Sequence, residues 1–235
     1  MVAIGNFLFH FRNALFPVAF LLVLLPGPVL FSDPLYAALV GFVVALAGQF
    51  VRASTIGLRY IIRGGKNRRV YAEDLVTEGI YSHSRNPMYV GNLLILGGVA
   101  IASNSWICVG IAVPLFLFIY CAIVAAEEAY LRGKFGQAFD AYVRDVPRWL
   151  LRFRGLGTTL AESEFHWRRV LVKEYGTPTG WVIGICASVL WDFWWDDVLD
   201  DRQGAVQGLI AAMIVVAVFW CVARFMKKSR TIVAD

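Results

Sequence analysis

Long apolar runs alternate with short polar connections along most of the chain. Crossing a hydrocarbon core of about 30 Å takes roughly 20 mainly apolar helical residues, and six runs approach that length. The six runs cover residues 13–31, 34–56, 87–103, 105–126, 180–195 and 204–223, of which the third and the fifth are the shortest. This pattern predicts an all-α, polytopic helical membrane protein with about six transmembrane helices.

Three other segments have the amphipathic pattern of helices that lie at a membrane surface. Residues 1–12 mix bulky apolar and polar groups before the first run, which predicts a short interfacial helix. Residues 127–149 place apolar side chains at three- and four-residue spacing, which predicts a helix that leaves the membrane. Residues 161–175 predict another interfacial helix, and the glycine-rich and basic residues 64–69 predict a turn.

The distribution of Lys and Arg orients these helices, because cytoplasmic loops of membrane proteins are rich in basic residues. With six crossings and a cytoplasmic N-terminus, only Arg202 of the 22 basic residues falls on the opposite side. The acidic loop 192–201 also lies there. We therefore predict an integral membrane protein of the prokaryotic cytoplasmic (inner) membrane, with both termini and the candidate active site on the cytoplasmic side.

Composition narrows the function further. The chain is 59% hydrophobic with a net charge of +5, and its basic residues cluster beside apolar runs. This placement favours anionic lipid headgroups as partners, and no nucleic-acid partner is predicted. The four cysteines lie inside the predicted spans without C-x-x-C spacing, so we expect neither a disulfide nor a metal site.

The order of these segments divides the chain into three parts. Residues 1–56 form an N-terminal transmembrane hairpin, which we expect to be retained because its first run is long enough to span. Residues 57–155 contain a polar segment, a second hairpin and an amphipathic helix. Residues 156–235 add an interfacial helix and a C-terminal hairpin.

The first candidate motif is EGIYSHSRNPMYVG, residues 78–91, where a polar segment enters the third run. Pro87 suits a first helical position and Asn86 suits the N-cap before it. Backbone N–H groups at such a helix start, next to Arg85, could bind an anion such as a carboxylate. The alternative is a plain membrane-entry turn in which Arg85 reaches toward the headgroups.

The second candidate motif begins with Glu127 and Glu128 at the end of the fourth run. Adjacent carboxylates beside apolar residues are costly unless cations or donors face them. Neighbouring helical positions point about 100° apart, so we expect only one to point fully inward. The other would pair with a nearby arginine, with Arg85, Arg132 and Arg148 as the candidates. The alternative is a solvated helix end.

Together the two motifs resemble the catalytic signature of the isoprenylcysteine carboxyl methyltransferase and phospholipid methyltransferase superfamily, over roughly residues 79–148. The resemblance implies methyl transfer from S-adenosylmethionine to a membrane lipid or a lipidated or amphiphilic small molecule. It implies a cofactor site lined by Tyr81, His83, Arg85, Asn86, Pro87, Tyr89 and Gly91 and closed by Glu127, Glu128, Tyr142, Val146 and Pro147. Within that region, Arg85, Glu127, Glu128 and Arg148 are the candidate catalytic residues.

The chain departs from the family pattern at several positions, and the acceptor stays open. Ile80, Asn86 and Phe139 stand where the family usually has Pro, His and Tyr. Asn86 matters most, because it can form hydrogen bonds but cannot take any role that needs an imidazole. Carboxyl O-methylation of an isoprenylcysteine-like acceptor needs no base. Amine or thiol methylation needs one, and His83, Glu127 and Glu128 are the candidates.

Two other functions fit the pattern less well. A sterol-type membrane reductase that uses NADPH resembles this motif region, but such proteins usually carry an acidic residue where Asn92 stands. A non-enzymatic interaction or transport subunit would be favoured if the C-terminal hairpin and the acidic loop 192–201 were the functional part. Binding of S-adenosylmethionine or of NADPH would separate these possibilities.

Overall fold

The protein is helical throughout the part of the chain that the computed structural model describes, residues 1–58 and 71–233. Nine α-helices and two short 3₁₀ turns, with no strand, account for the regular structure of these residues. The helices are α1 (Val2–Phe20), α2 (Pro34–Leu58), α3 (Pro87–Ala102), α4 (Trp106–Phe135), α5 (Gln137–Asp145), α6 (Leu156–Glu162), α7 (Trp167–Glu174), α8 (Gly176–Trp195) and α9 (Gln203–Lys228). The prediction of an all-α fold is confirmed.

Among the described residues, three helices are long and apolar enough to cross a membrane, namely α2, α4 and α9. The helix α3 is apolar but shorter, with 16 residues. These helices identify an integral membrane protein, as predicted. The count of six crossings stays a prediction, and the predicted turn at residues 64–69 lies outside the described residues.

The boundaries of several elements differ from the sequence-based expectations. The prediction of a separate interfacial helix at residues 1–12 is wrong, because α1 runs without a break through Phe20 and carries Pro17 inside it. The prediction of a single helix over residues 127–149 is also wrong. Helix α4 continues to Phe135, and the chain then turns at Gly136, whose φ of +52° suits a glycine, before α5 begins. The helix expected over 161–175 is shorter, because α7 begins only at Trp167, after a break that follows the end of α6 at Glu162.

Glycines allow α2 and α3 to pack antiparallel with their backbones in close contact. A Cβ atom at Gly98 would lie 2.4 Å from the carbonyl oxygen of Gly41, and one at Gly48 would lie 2.6 Å from that of Gly91. Small residues at these crossing points replace side-chain interdigitation with backbone contact, as is common between membrane helices. The resulting pair fixes where α3 begins, and therefore where the first motif sits.

Helix α4 packs on the other side of α3 and is covered by α1. Phe9 of α1 joins a buried cluster with Phe116 and Tyr120 of α4, and Gly5 lies against the backbone of Ala122. Helix α8 covers α2 and α3 through Trp181. The two motifs therefore meet where α3 begins and α4 ends, here called the motif end of the molecule.

The connections at the opposite end are tied to one another. The Leu30 amide donates to the Asn104 carbonyl (3.1 Å), and the Trp106 amide donates to the Pro28 carbonyl (3.0 Å). Arg202 donates to the carboxylate of Asp33 at 3.0 Å. The backbone N–H of Leu35 and then Arg202 lower the pKa of Asp33. The helical hairpins are thus joined at this end.

Candidate functional site

The two sequence motifs form a hydrogen-bonded seam between residues 82–86 and residues 147–152. The Arg85 amide donates to the Pro147 carbonyl (2.9 Å), and the Arg152 amide donates to the His83 carbonyl (2.9 Å). The Ser84 hydroxyl donates to the Trp149 carbonyl at 3.3 Å. Backbone pairing of this kind satisfies polar groups that would otherwise be costly to bury. It brings together residues separated by more than 60 positions in the sequence.

Glu128 lies at the centre of the site, between an arginine from each motif. Its Oε1 is 3.1 Å from Nη1 of Arg85 and also accepts a hydrogen bond of 3.1 Å from Nε of Arg148. Its Oε2 accepts a second bond from Nη2 of Arg148. The carboxylate thus meets the fork of Arg148 with both oxygens, the geometry that gives arginine its directional specificity. Two of the three predicted pairing candidates are correct, whereas Arg132 pairs with Asp140 instead.

Glu127 is also buried and faces a different neighbour. Glu127 and Glu128 are 5% and 7% exposed, so they do not form a solvated helix end. Tyr89 of α3 donates from its hydroxyl to Oε1 of Glu127 at 2.6 Å. Sequence reasoning expected only one carboxylate to point inward. Both can be buried because α3 lies on one side of this turn of α4 and the segment after α5 lies on another.

The electrostatics of the two arginines differ because their exposure differs. The Arg148 side chain is 46% exposed and the Arg85 side chain 10%. Burial lowers the pKa of Arg85, and Glu128 partly opposes this effect. The hydrogen bonds to Glu128 raise the pKa of Arg148. Both groups stay charged near neutral pH, so the cluster presents positive charge at its open edge and carboxylate charge beneath it.

Helix α5 packs beneath the seam and stabilises it. The hydroxyl of Tyr142 donates to the Tyr81 carbonyl at 2.7 Å. Phe139, Tyr142 and Val146 pack in one buried cluster with Leu131 of α4. Phe139 therefore fills apolar space where the family usually has Tyr. In this structure Tyr81, Tyr142 and Val146 are parts of the packing that holds the motif in place.

His83 and Asn86 are bound by the segment after α5. The two ring nitrogens of His83 lie 2.6 Å from the Arg152 carbonyl and 2.9 Å from the Thr159 hydroxyl. Asn86 occupies the N-cap position of α3, but its side chain does not cap the helix. Its Nδ2 instead donates to the Arg148 carbonyl at 3.1 Å. Asn86 thus supplies only hydrogen bonding, as its chemistry requires.

Pro87 and Gly91 contribute backbone geometry. Pro87 is the first residue of α3, as its position in the motif predicts, and it is buried. Gly91 faces α2, because a Cβ atom there would lie 2.5 Å from Cγ of Arg52. The structure therefore gives Gly91 a packing contact with α2, away from the side of α3 on which Tyr89 donates to Glu127 of α4.

Sequence reasoning missed a second buried polar cluster one turn further along α3. Arg52 of α2 donates from Nε to the Glu174 carboxylate at 2.9 Å and from Nη1 to the Asn92 side chain. Gln49 bridges Glu174 and the indole N–H of Trp181, at 3.1 Å each. An arginine within an apolar run was the available signal, because charges in a span usually have buried partners.

The matched family segment covers most of this site. Residues 36–138 match the phospholipid methyltransferase family. The match includes the first motif and Glu127 and Glu128, and it stops before Tyr142 and Arg148. No solved structure matches the chain.

Three curated relatives are similar to part of the chain. A cobalt-zinc-cadmium resistance protein, CzcN, of Cupriavidus metallidurans is 33% identical over 108 residues, which is 44% of this chain and 47% of the relative. The protein-S-isoprenylcysteine O-methyltransferase of Schizosaccharomyces pombe is 30% identical over 106 residues, or 43% of each chain. A nickel-cobalt-cadmium resistance protein, NccN, of Alcaligenes xylosoxydans xylosoxydans is 33% identical over 90 residues, 37% of this chain and 42% of the relative. The chain thus spans less than half the length of each relative.

Proposed function

We propose that this chain, whose residues 36–138 match the phospholipid methyltransferase family, belongs to the isoprenylcysteine and phospholipid methyltransferase superfamily and is a membrane methyltransferase that uses S-adenosylmethionine. Its acceptor is a membrane lipid or a lipidated or amphiphilic small molecule. The observation that carries the proposal is Glu128, buried between Arg85 of the first motif and Arg148 of the second. Among acceptors we favour an isoprenylcysteine-like carboxylate, because a relative named for that reaction is 30% identical to this chain over 106 residues.

The residues of this cluster fit the charges of the proposed cofactor. S-adenosylmethionine carries a carboxylate, an ammonium group and a sulfonium group, so it needs partners of both signs. Arg148 offers a half-exposed guanidinium next to the buried Arg85, and Glu127 and Glu128 offer carboxylates. In this proposal the arginines hold the cofactor's carboxylate and a glutamate faces its positive groups. When bound, the cofactor supplies a methyl carbon on positively charged sulfur.

The residues of the chain then have two tasks, alignment and control of a proton. Alignment comes from the seam, which fixes Arg85 and Arg148 relative to α3, and from exclusion of water by the surrounding helices. A carboxylate acceptor needs no base, whereas an ammonium or thiol acceptor must first lose a proton. We assign that proton to Glu127 in the second case, because His83 already contacts protein groups through both ring nitrogens.

The membrane orientation is part of the proposal. We place the motif end on the cytoplasmic side, where the basic residues predict it and where S-adenosylmethionine is available. A lipidic acceptor would reach the cluster from between the helices, while the polar cofactor would enter at the half-exposed Arg148.

Titration calorimetry on purified protein tests the cofactor. We expect S-adenosylmethionine and its demethylated product to bind and NADPH to give no heat. Glu128→Gln should weaken the binding of S-adenosylmethionine, whereas Arg144→Gln, a charge change at an exposed position of α5, should not. Binding of NADPH alone would favour the reductase, and binding of neither compound would favour a non-enzymatic membrane subunit.

Transfer of a labelled methyl group tests the acceptor. The protein is incubated with labelled S-adenosylmethionine and, in turn, an S-prenylated cysteine derivative, phosphatidylethanolamine and a long-chain thiol. We expect base-labile label, the sign of a methyl ester, on the first compound. Label on the amine or the thiol instead would identify N- or S-methylation and would contradict the carboxylate acceptor while leaving the methyltransferase proposal intact.

A further inference from the structure

The surface at the motif end carries a strong excess of positive charge. Residues 150–173 and 224–230 together contain nine basic residues and only two acidic ones, Glu162 and Glu164. The two stretches are joined, because Nζ of Lys227 donates to the Val172 carbonyl at 3.1 Å. We call these two stretches the basic surface.

Large apolar side chains are exposed between these charges. Leu150 and Phe153 are 81% and 78% exposed, Trp167 is 57% exposed and Phe165 is 48% exposed. Exposed aromatic and aliphatic groups interleaved with Lys and Arg are the composition of segments that lie in the headgroup region of a bilayer. An acidic protein surface would account for the charges but would leave this apolar area in contact with water.

The basic surface is also held firmly against the membrane-embedded helices. The His166 amide donates to the Gly57 carbonyl at 2.9 Å, at the end of α2. Glu174, which ends α7, pairs with Arg52 inside the helical bundle. The second stretch is the end of α9, a helix apolar enough to span the bilayer. These contacts place the surface where the spanning helices end, at the level of the headgroups.

We propose that the basic surface docks on an anionic phospholipid leaflet. The exposed aromatic and leucine side chains enter the headgroup region, and Arg168, Lys173 and their basic neighbours contact lipid phosphates. The inference rests on residues outside the matched family segment and needs no assumption about the methyl acceptor. Each basic residue near an anionic leaflet contributes an attraction of about 1 kcal/mol, which is roughly fivefold in the docking equilibrium.

Hydrogen exchange in lipid nanodiscs tests the proposal. The whole protein is placed in discs of phosphatidylcholine alone and in discs that also contain phosphatidylglycerol, and amide exchange is followed over residues 156–174. We expect exchange there to be at least about fivefold slower in the anionic discs, on the scale of one basic residue's attraction. Equal exchange in the two kinds of disc would overturn the proposal.

Charge variants make the test specific. Arg168→Gln with Lys173→Gln should reduce the slowing, because two of the nine basic residues no longer attract the leaflet, whereas the control Arg144→Gln on α5 should leave it unchanged. Unchanged exchange in α3 and α4 shows that a variant is folded. If the first pair disturbs those helices, Arg154→Gln with Lys228→Gln, both exposed, replaces it. Slowing of undiminished size in a folded variant would contradict docking through these charges. Cofactor titration is a separate experiment, so either result leaves the proposed activity untouched.

Discussion

At the residue scale, Glu128 contributes more than Glu127 to joining the two motifs. It is a buried anion shared by Arg85 and Arg148, whereas Glu127 accepts from the Tyr89 hydroxyl. A buried charge left without its partner is strongly destabilising. The two glutamates are adjacent in sequence, yet they are expected to respond differently to the same substitution.

Glu128→Gln should lower stability by about 3 kcal/mol, because Arg85 and Arg148 would then lie close together without the carboxylate between them. Glu127→Gln should cost about 1 kcal/mol, since the amide oxygen can still accept from Tyr89. Denaturation in mixed micelles measures both variants. Equal losses would contradict the distinct partners described here.

Arg85→Ala should weaken the binding of S-adenosylmethionine by about 1–3 kcal/mol, the scale of a lost charge-assisted hydrogen bond. Glu128 keeps Arg148 as a partner in this variant, so the loss falls mainly on the ligand. Calorimetry on folded protein measures it, with Arg85→Lys as the variant that keeps the charge but loses the planar fork. An affinity equal to the wild type would return Arg85 to a purely structural role.

At the scale of elements, the start of α3 is fixed by the backbone contact between α2 and α3. The neighbouring glycines Gly97 and Gly98 provide a matched pair for testing this contact. A Cβ atom at Gly98 would lie 2.4 Å from a backbone oxygen, whereas one at Gly97 would meet nothing within 4 Å.

Gly98→Ala should therefore destabilise the protein by about 1–3 kcal/mol, because backbone atoms of α2 must move away. Gly97→Ala should be neutral or stabilise it by about 0.5–1 kcal/mol through the better helix propensity of Ala. Thermal unfolding in the same detergent compares the two. A Gly98→Ala protein as stable as Gly97→Ala would mean that the two helices are further apart than described.

At the scale of the whole molecule, the charge distribution predicts that the motif end faces the cytoplasm. Single cysteines are introduced at Glu162 and Asp200, both exposed, in a variant without the four native cysteines. A membrane-impermeant thiol reagent applied to intact cells should label residue 200 and leave residue 162 unlabelled. Labelling of both or neither position would contradict the six-span topology.

The sequence by itself determined the all-α membrane class, most helix positions and the presence of both motifs. These follow from local information, namely the length of apolar runs and the spacing of side chains within a few residues. It also named three arginines as candidate partners of one glutamate, and two of them pair with Glu128. Its errors included helix boundaries. No residue near position 12 stops a helix, and the positive φ of Gly136 depends on how α5 folds back.

Only the tertiary structure decided which charges meet. Glu128 and Arg148 are 20 residues apart, and Arg52 and Glu174 are 122 apart. Contacts at such separations depend on the angles at which helices pack, which no local pattern encodes. The same holds for His83, whose partners come from a segment beyond the second motif. The motifs could thus be found from the sequence, whereas their joining by Glu128 depended on the packing of α3, α4 and α5.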